Sequence, residues 1–91
     1  MLKTIIPTTA FRKDLKRCSR SGRHDLDLLK DIIHKTANGK SLDAKYRDHP
    51  LDGDYSDCRE CHIKPDWLLI YRYTDSELFL IRLGSHTELF D

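Results

Sequence analysis

Three histidines in this chain stand beside turns: His49, His62 and His86, with Asp66 four residues beyond His62. An imidazole loses its proton near neutral pH, at about 6.5 when unperturbed, so two of them can take up one proton and deliver another in one reaction. RNA is a substrate suited to that pair. Its 2′-hydroxyl is a built-in nucleophile, so a protein need supply only a base for that proton and an acid for the departing 5′-oxygen, without a metal. A cation such as Arg82 suits the charge that develops at phosphorus. Trp67, Tyr71 or Phe90 offers a ring on which a base can stack. Plainer roles stand beside each of these. A surface histidine is commonly solvated or capping, as expected for His24 and His34, and Tyr71 is the aromatic expected simply to fill the core.

Cys58-Arg59-Glu60-Cys61-His62 matches the C-x-x-C-H pattern of covalent haem attachment. A strand here points Cys58 and Cys61 to opposite faces, so the two thiols cannot both reach one porphyrin. The sole methionine is Met1, which removes the common axial Met. A redox dithiol normally sits at a helix N-terminus that lowers its pKa, and a strand gives no such help. Zinc takes about four ligands, commonly as two closely spaced pairs, and a second pair is missing. Cys18, Cys58 and Cys61 are therefore read as packing residues, and their odd, sparse count fits a reducing compartment.

The elements that must carry these side chains follow from periodicity. Leu2–Ile6 reads as a short strand stopped by Pro7. Thr8 or Thr9 can cap a helix with Phe11, Leu15 and Cys18 on one face, broken at Ser21-Gly22. Asp25 can cap a second, with Leu26, Leu29, Ile33 and Ala37 in a stripe, Ile32 widening it and Asn38-Gly39 ending it. Residues 40–57 have loop composition. Three strand-like runs follow, Cys58–Ile63, Trp67–Tyr73 and Leu78–Leu83, with hairpin-sized breaks, and one helical turn is expected after them. The order β-α-α-β-β-β predicts an α+β fold, one domain over residues 1–91, with a helical hairpin on one face of a largely antiparallel, twisted sheet. Such a sheet could gather His49, His62, Asp66 and His86 at one edge, although they are far apart in sequence.

Length and charge bound the partners. A chain of 91 residues has room for one modest core. No apolar run approaches the roughly 18 residues of a membrane span, and no secretory signal is evident, so the expected address is the cytoplasm. Net charge is only +1, yet residues 1–47 carry twelve Lys/Arg against five Asp/Glu, and residues 48–91 four against ten. A basic half beside an acidic one suits a protein that holds a polyanion with one part and does chemistry with the other, although solvated helix faces account for the basic residues as simply.

Three blocks carry a resemblance. Asp48-His49-Pro50-Leu51-x-Gly53, then Arg59-x-x-His62-x-x-Pro65-Asp66-Trp67-Leu68-Leu69-Ile70-Tyr71, then Arg82-x-Gly84-Ser85-His86-x-x-Leu89-Phe90 together resemble the YafQ-type toxins of the RelE/ParE superfamily, over essentially the whole chain. The resemblance implies a ribosome-dependent endoribonuclease of a type II toxin–antitoxin pair. It cuts mRNA in the decoding site, with no cofactor, haem or metal, and a cognate antitoxin holds it inactive. It places His49, His62, Asp66 and His86 at catalytic positions, and Trp67 and Phe90 at positions tied to activity, with Phe90 shaping the RNA site. His86 is then read as the acid and His49 or Asp66 as the base, or else Asp66 orients His62. Two other classes share the scaffold: a gyrase-poisoning ParE-like toxin, which has no need of the histidines, and an inactive antitoxin-binding relative.

Overall fold

The computed structural model describes residues 2–90; the two ends of the expected 1–91 domain, Met1 and Asp91, lie outside the described residues. Strand β1 is Thr4–Pro7. It starts and ends later than the expected Leu2–Ile6 because its bounds are set by its partner, with Thr4 pairing Glu77 and Pro7 pairing Leu80. Helix α1, Thr9–Ser21, begins where the Thr8 hydroxyl oxygen accepts the Phe11 N–H at 3.1 Å and ends at Gly22 in the left-handed region, φ 68°. Helix α2, Leu26–Ala37, is capped by Asp25, which accepts the Leu28 N–H at 3.0 Å. Both caps satisfy N–H groups that a helix start would otherwise leave unpaired.

Residues 40–57, expected as loop, hold more order than composition suggests. Two 3-10 turns, Ala44–Tyr46 and Gly53–Tyr55, flank a two-residue strand β2, His49–Pro50. The Asp43 side chain accepts the Lys45 N–H and starts the first turn. Strands β3 (Arg59–Lys64), β4 (Trp67–Tyr73) and β5 (Glu77–Gly84) follow, and helix α3 is His86–Phe90. The sheet order is β1-β5-β4-β3-β2, antiparallel except for the parallel β1–β5 pair.

Strand β4 is the centre, and alternation sorts it. Trp67, Leu69 and Tyr71 join Phe11, Cys18, Leu29 and Ile32 in the core beneath the helices, while Leu68 and Ile70 meet Cys58 and Leu89 in a smaller cluster on the other face. Cys61 lies in the first cluster and Cys58 in the second, so the expected opposition of the two thiols holds, and all three cysteines are unpaired and buried. Two bulges interrupt the ladder. One falls at Ile63, between the pairs His62–Leu68 and Lys64–Trp67; the other at Ile81, between Tyr71–Leu80 and Ile70–Arg82. The second reverses the alternation of β5, so that Leu78 and Leu80 face the helices and so does Leu83.

Candidate active site

The site is built on the sheet face turned away from α1 and α2. In β3 the alternation that buries Cys61 under the helices turns Glu60 and His62 the other way, and β2 pairs His49 directly with Glu60. Glu60 is 3% exposed. Its Oε1 lies 3.4 Å from His49 Nε2 and 3.3 Å from His62 Nε2, so one buried carboxylate oxygen is shared by two imidazoles. The rings stand 6.0 Å apart, centre to centre.

Backbone carbonyls fix how these rings are turned. His49 Nδ1 lies 2.6 Å from the Arg47 carbonyl oxygen and His62 Nδ1 3.3 Å from that of Pro65. A carbonyl only accepts, so each Nδ1 carries the N–H and each neutral ring presents an Nε2 lone pair to Glu60. Three acceptors then converge with no donor among them. Glu60 Oε2 adds to the deficit, since it is buried and has no hydrogen-bond partner among the described residues. An N–H on either Nε2 could donate to Oε1, so the geometry allows a proton to pass between these groups.

His86 reaches the same face from another element. Ser85 and Glu88 form a capping box: the Ser85 hydroxyl oxygen accepts the Glu88 N–H at 3.1 Å, and Glu88 Oε1 accepts the Ser85 N–H at 2.8 Å. The hydrogen bond from the Ser85 N–H, with the nearby Arg17 guanidinium, holds the Glu88 carboxyl below its ordinary value against a smaller effect of burial. Asp66 Oδ1 accepts the His86 N–H at 3.0 Å and ties α3 to the β3–β4 turn. In register, His62 and Gly84 flank Leu68 on either side, two strand spacings or about 10 Å apart. His86 follows Gly84 by two residues, and its ring packs on Phe90 at 4.9 Å. Gly84 serves close approach rather than a turn, because a β-carbon there would stand 2.9 Å from Arg17 Nη2 and 3.0 Å from Glu88 Oε1.

The expected residues are thus sorted by place. His49 and His62 meet at Glu60; Asp66 and His86 form a second pair; Phe90 is partly exposed and edge-on to Tyr55 at 6.0 Å. Asp66 does not orient His62, for the Pro65 carbonyl does that and the Asp66 carboxylate holds α3. Trp67 offers no stacking surface: it is 2% exposed on the helix side, with His24 stacked on it at 4.5 Å, so it supports the site from beneath. That also places His24, expected as a solvated side chain. Arg82 is not an unengaged cation. Its guanidinium grips Asp14 of α1 through Nε at 2.7 Å and Nη2 at 3.2 Å. Tyr71 is core, as expected, and donates its hydroxyl to Asp48 at 2.6 Å. Glu60 was missed, although alternation along Cys58–Ile63 already sets it on the face of His62.

Against known proteins, a model of the family described as the bacterial toxin of type II toxin–antitoxin system, YafQ, matches residues 3–91. The chain belongs to the YafQ toxin family. The mRNA interferase toxin YafQ of Escherichia coli K12 is 40% identical over 82 residues, 88% of this chain and 87% of that protein. Among solved structures, a metal-bound toxin from Helicobacter pylori is 49% identical with TM-score 0.90, covering 99% of this YafQ-family chain and all of the other. YafQ in the E. coli DinJ–YafQ complex is 36% identical with TM-score 0.87, covering 98% and 99%. The α+β architecture is that of these relatives.

Proposed function

We propose that this YafQ-family toxin is an endoribonuclease that cleaves mRNA on the ribosome, in the cytoplasm, with residues 1–91 acting as one domain. The observation that carries the mechanism is the sharing of Glu60 by His49 and His62, with His86 held by Asp66 on the same sheet face. A phosphodiester lying between the two groups meets a proton acceptor on one side and a proton donor on the other. The Glu60–histidine cluster takes the 2′-hydroxyl proton as the 2′-oxygen bonds to phosphorus. His86 protonates the 5′-oxygen as its bond to phosphorus breaks, leaving a 2′,3′-cyclic phosphate and a 5′-hydroxyl. Protonated His49 or His62 stabilises the charge on the non-bridging oxygens. Glu60 thus joins His49 and Asp66 as a candidate base, and Phe90 shapes the base-binding side.

The reaction requires no metal ion or cofactor, because RNA supplies the nucleophile and side chains move both protons. A cognate antitoxin is the natural partner, by analogy with the E. coli DinJ–YafQ complex. The test is translation of a defined mRNA in a cell-free system. Wild-type protein should stop translation and create new mRNA 5′ ends at codon-spaced positions, only with ribosomes, while folded His86→Ala leaves the mRNA whole. Intact mRNA with wild-type protein would overturn the reading, and inhibited gyrase supercoiling would then point to the ParE-like class.

A further inference from the structure

Resting on the proposed nuclease reading, we infer that the basic cleft beside His62 is a phosphate subsite for the RNA strand. Lys45, Arg47 and Lys64 hold there the phosphate 5′ to the nucleotide whose 2′-hydroxyl attacks, and so set the direction in which the strand crosses the sheet.

The cleft opens at the outer edge of β3, where the Ala44–Tyr46 turn packs against that strand. Its volume is about 330 Å³, and His62 is one of its walls. Lys45, Arg47 and Lys64 line it, all three exposed, and no Asp or Glu does. None of the three has a carboxylate partner among the described residues. That is not the general condition of the acidic half of the molecule. Residues 48–91 hold four Lys/Arg, of which Arg59, Arg72 and Arg82 are paired with Asp48, Asp57 and Asp14. Lys64 alone is not. Like charges gathered round one cleft repel one another until an anion joins them, and a phosphate suits a guanidinium fork flanked by two ammonium groups. Leu28 and Pro65 give the adjoining sugar an apolar seat.

The second sign is in the backbone. Arg47 is the one non-glycine residue among those described with a positive φ, 50°. Such a conformation is uncommon for a long side chain, and residues held in it cluster at functional sites. Here it lets the Arg47 side chain line the cleft while the Arg47 carbonyl oxygen meets His49 Nδ1 at 2.6 Å. One residue thus touches both the phosphate subsite and the imidazole cluster. Direction follows from the strand order. Strand β4 separates β3, which carries His62, from β5, which His86 follows, and the cleft lies beyond His62 on the side away from β5. An RNA whose 2′-hydroxyl meets the Glu60 cluster and whose 5′-oxygen leaves towards His86 therefore runs 5′ to 3′ from the cleft, past His62, to α3.

The experiment uses the whole protein and mRNAs in which one linkage near the mapped cut is an uncharged methylphosphonate. On ribosomes, neutralising the linkage 5′ to the attacking nucleotide should lower kcat/KM for wild type at least about tenfold, the worth of one hydrogen bond to a charged group. Lys45→Gln with Lys64→Gln should lose as much on ordinary mRNA, lose nothing further on the neutralised one, and keep the wild-type melting temperature. Lys45→Arg with Lys64→Arg should cleave as wild type does. Additive losses would overturn the proposal, because the cations then hold another phosphate, such as one of ribosomal RNA. Sensitivity only at the linkage 3′ to the scissile one would overturn the direction. Off the ribosome, an oligoribonucleotide made uncuttable by a deoxy sugar at the attacking position should shift the amide NMR signals of Lys45, Arg47 and Lys64. Shifts with polyglutamate but not with that oligonucleotide would assign the cleft to an acidic protein segment instead. RNA seated in the cleft of a protein that never cuts would leave the subsite standing and remove the nuclease reading; cutting undiminished in the glutamine variant would do the reverse.

Discussion

Replacing Glu60 with glutamine separates the cluster's chemistry from its architecture. The amide keeps the volume and can donate a hydrogen bond to one Nε2, so the melting temperature should hold. Single-turnover cleavage should fall by about 10²–10⁴, the usual worth of a general base. The thiols should behave oppositely, as inert structure. Burial pushes the Cys61 thiol up to about 12 and raises Cys58 and Cys18 as well. Native protein should therefore leave all three unreactive to a disulfide reagent at neutral pH, and guanidinium should expose them. Because the unfolded thiol ionises near 9, Cys61's contribution to stability is whole below that pH and fades as pH rises towards 12. At this scale the histidines and Asp66 were legible as candidates, since turns and a family pattern mark them. Glu60 was only half legible: alternation sets it on the face of His62, but its pairing with His49, which puts it between the two imidazoles, depends on the two-residue β2.

Helix α1 is fastened to β5 through one carboxylate. Asp14 accepts hydrogen bonds from Arg82, from Arg17 and from the Leu83 N–H at 3.0 Å. Burial pushes its carboxyl up, yet those hydrogen bonds outweigh it and hold Asp14 below the ordinary 3.8. Its stabilisation is thus present above pH 3.8 and lost as pH falls below it, which urea unfolding across that range should record. Asp14→Asn should cost about 2–4 kcal/mol, less than a fully buried pair because both arginines reach water. At α3, Ser85→Ala removes one half of the capping box, worth about 1 kcal/mol. Cleavage should fall further than that loss of stability implies, since the box also sets His86. The long elements were legible from period and caps. The two-residue β2 was not, because a strand that short has no period, and neither bulge leaves a mark in the sequence. The Ser85-x-x-Glu88 signature was there to be read.

The molecule divides its charge between layers. The basic first half supplies β1 and both long helices, with Arg12, Lys13, Lys16 and Arg20 exposed on α1. The acidic second half supplies the other four strands and the candidate site on the opposite face. On the proposed function such a layer would hold ribosomal RNA while the sheet face takes the message, so ribosome binding should weaken steeply with salt. Lys13→Glu with Lys16→Glu should lower ribosome affinity and flatten that salt dependence, with the melting temperature little changed; filter binding at several ionic strengths checks it. The parallel β1–β5 pair has a consequence in time. Strand β1 leaves the ribosome early but finds no partner until residues 77–84 have been made, and His86 comes later still. The protein therefore completes neither its sheet nor its candidate site while most of its own message is being read. On the proposed mechanism a nascent chain could not cut before its last strand emerges, and that interval is the time a waiting antitoxin has to bind.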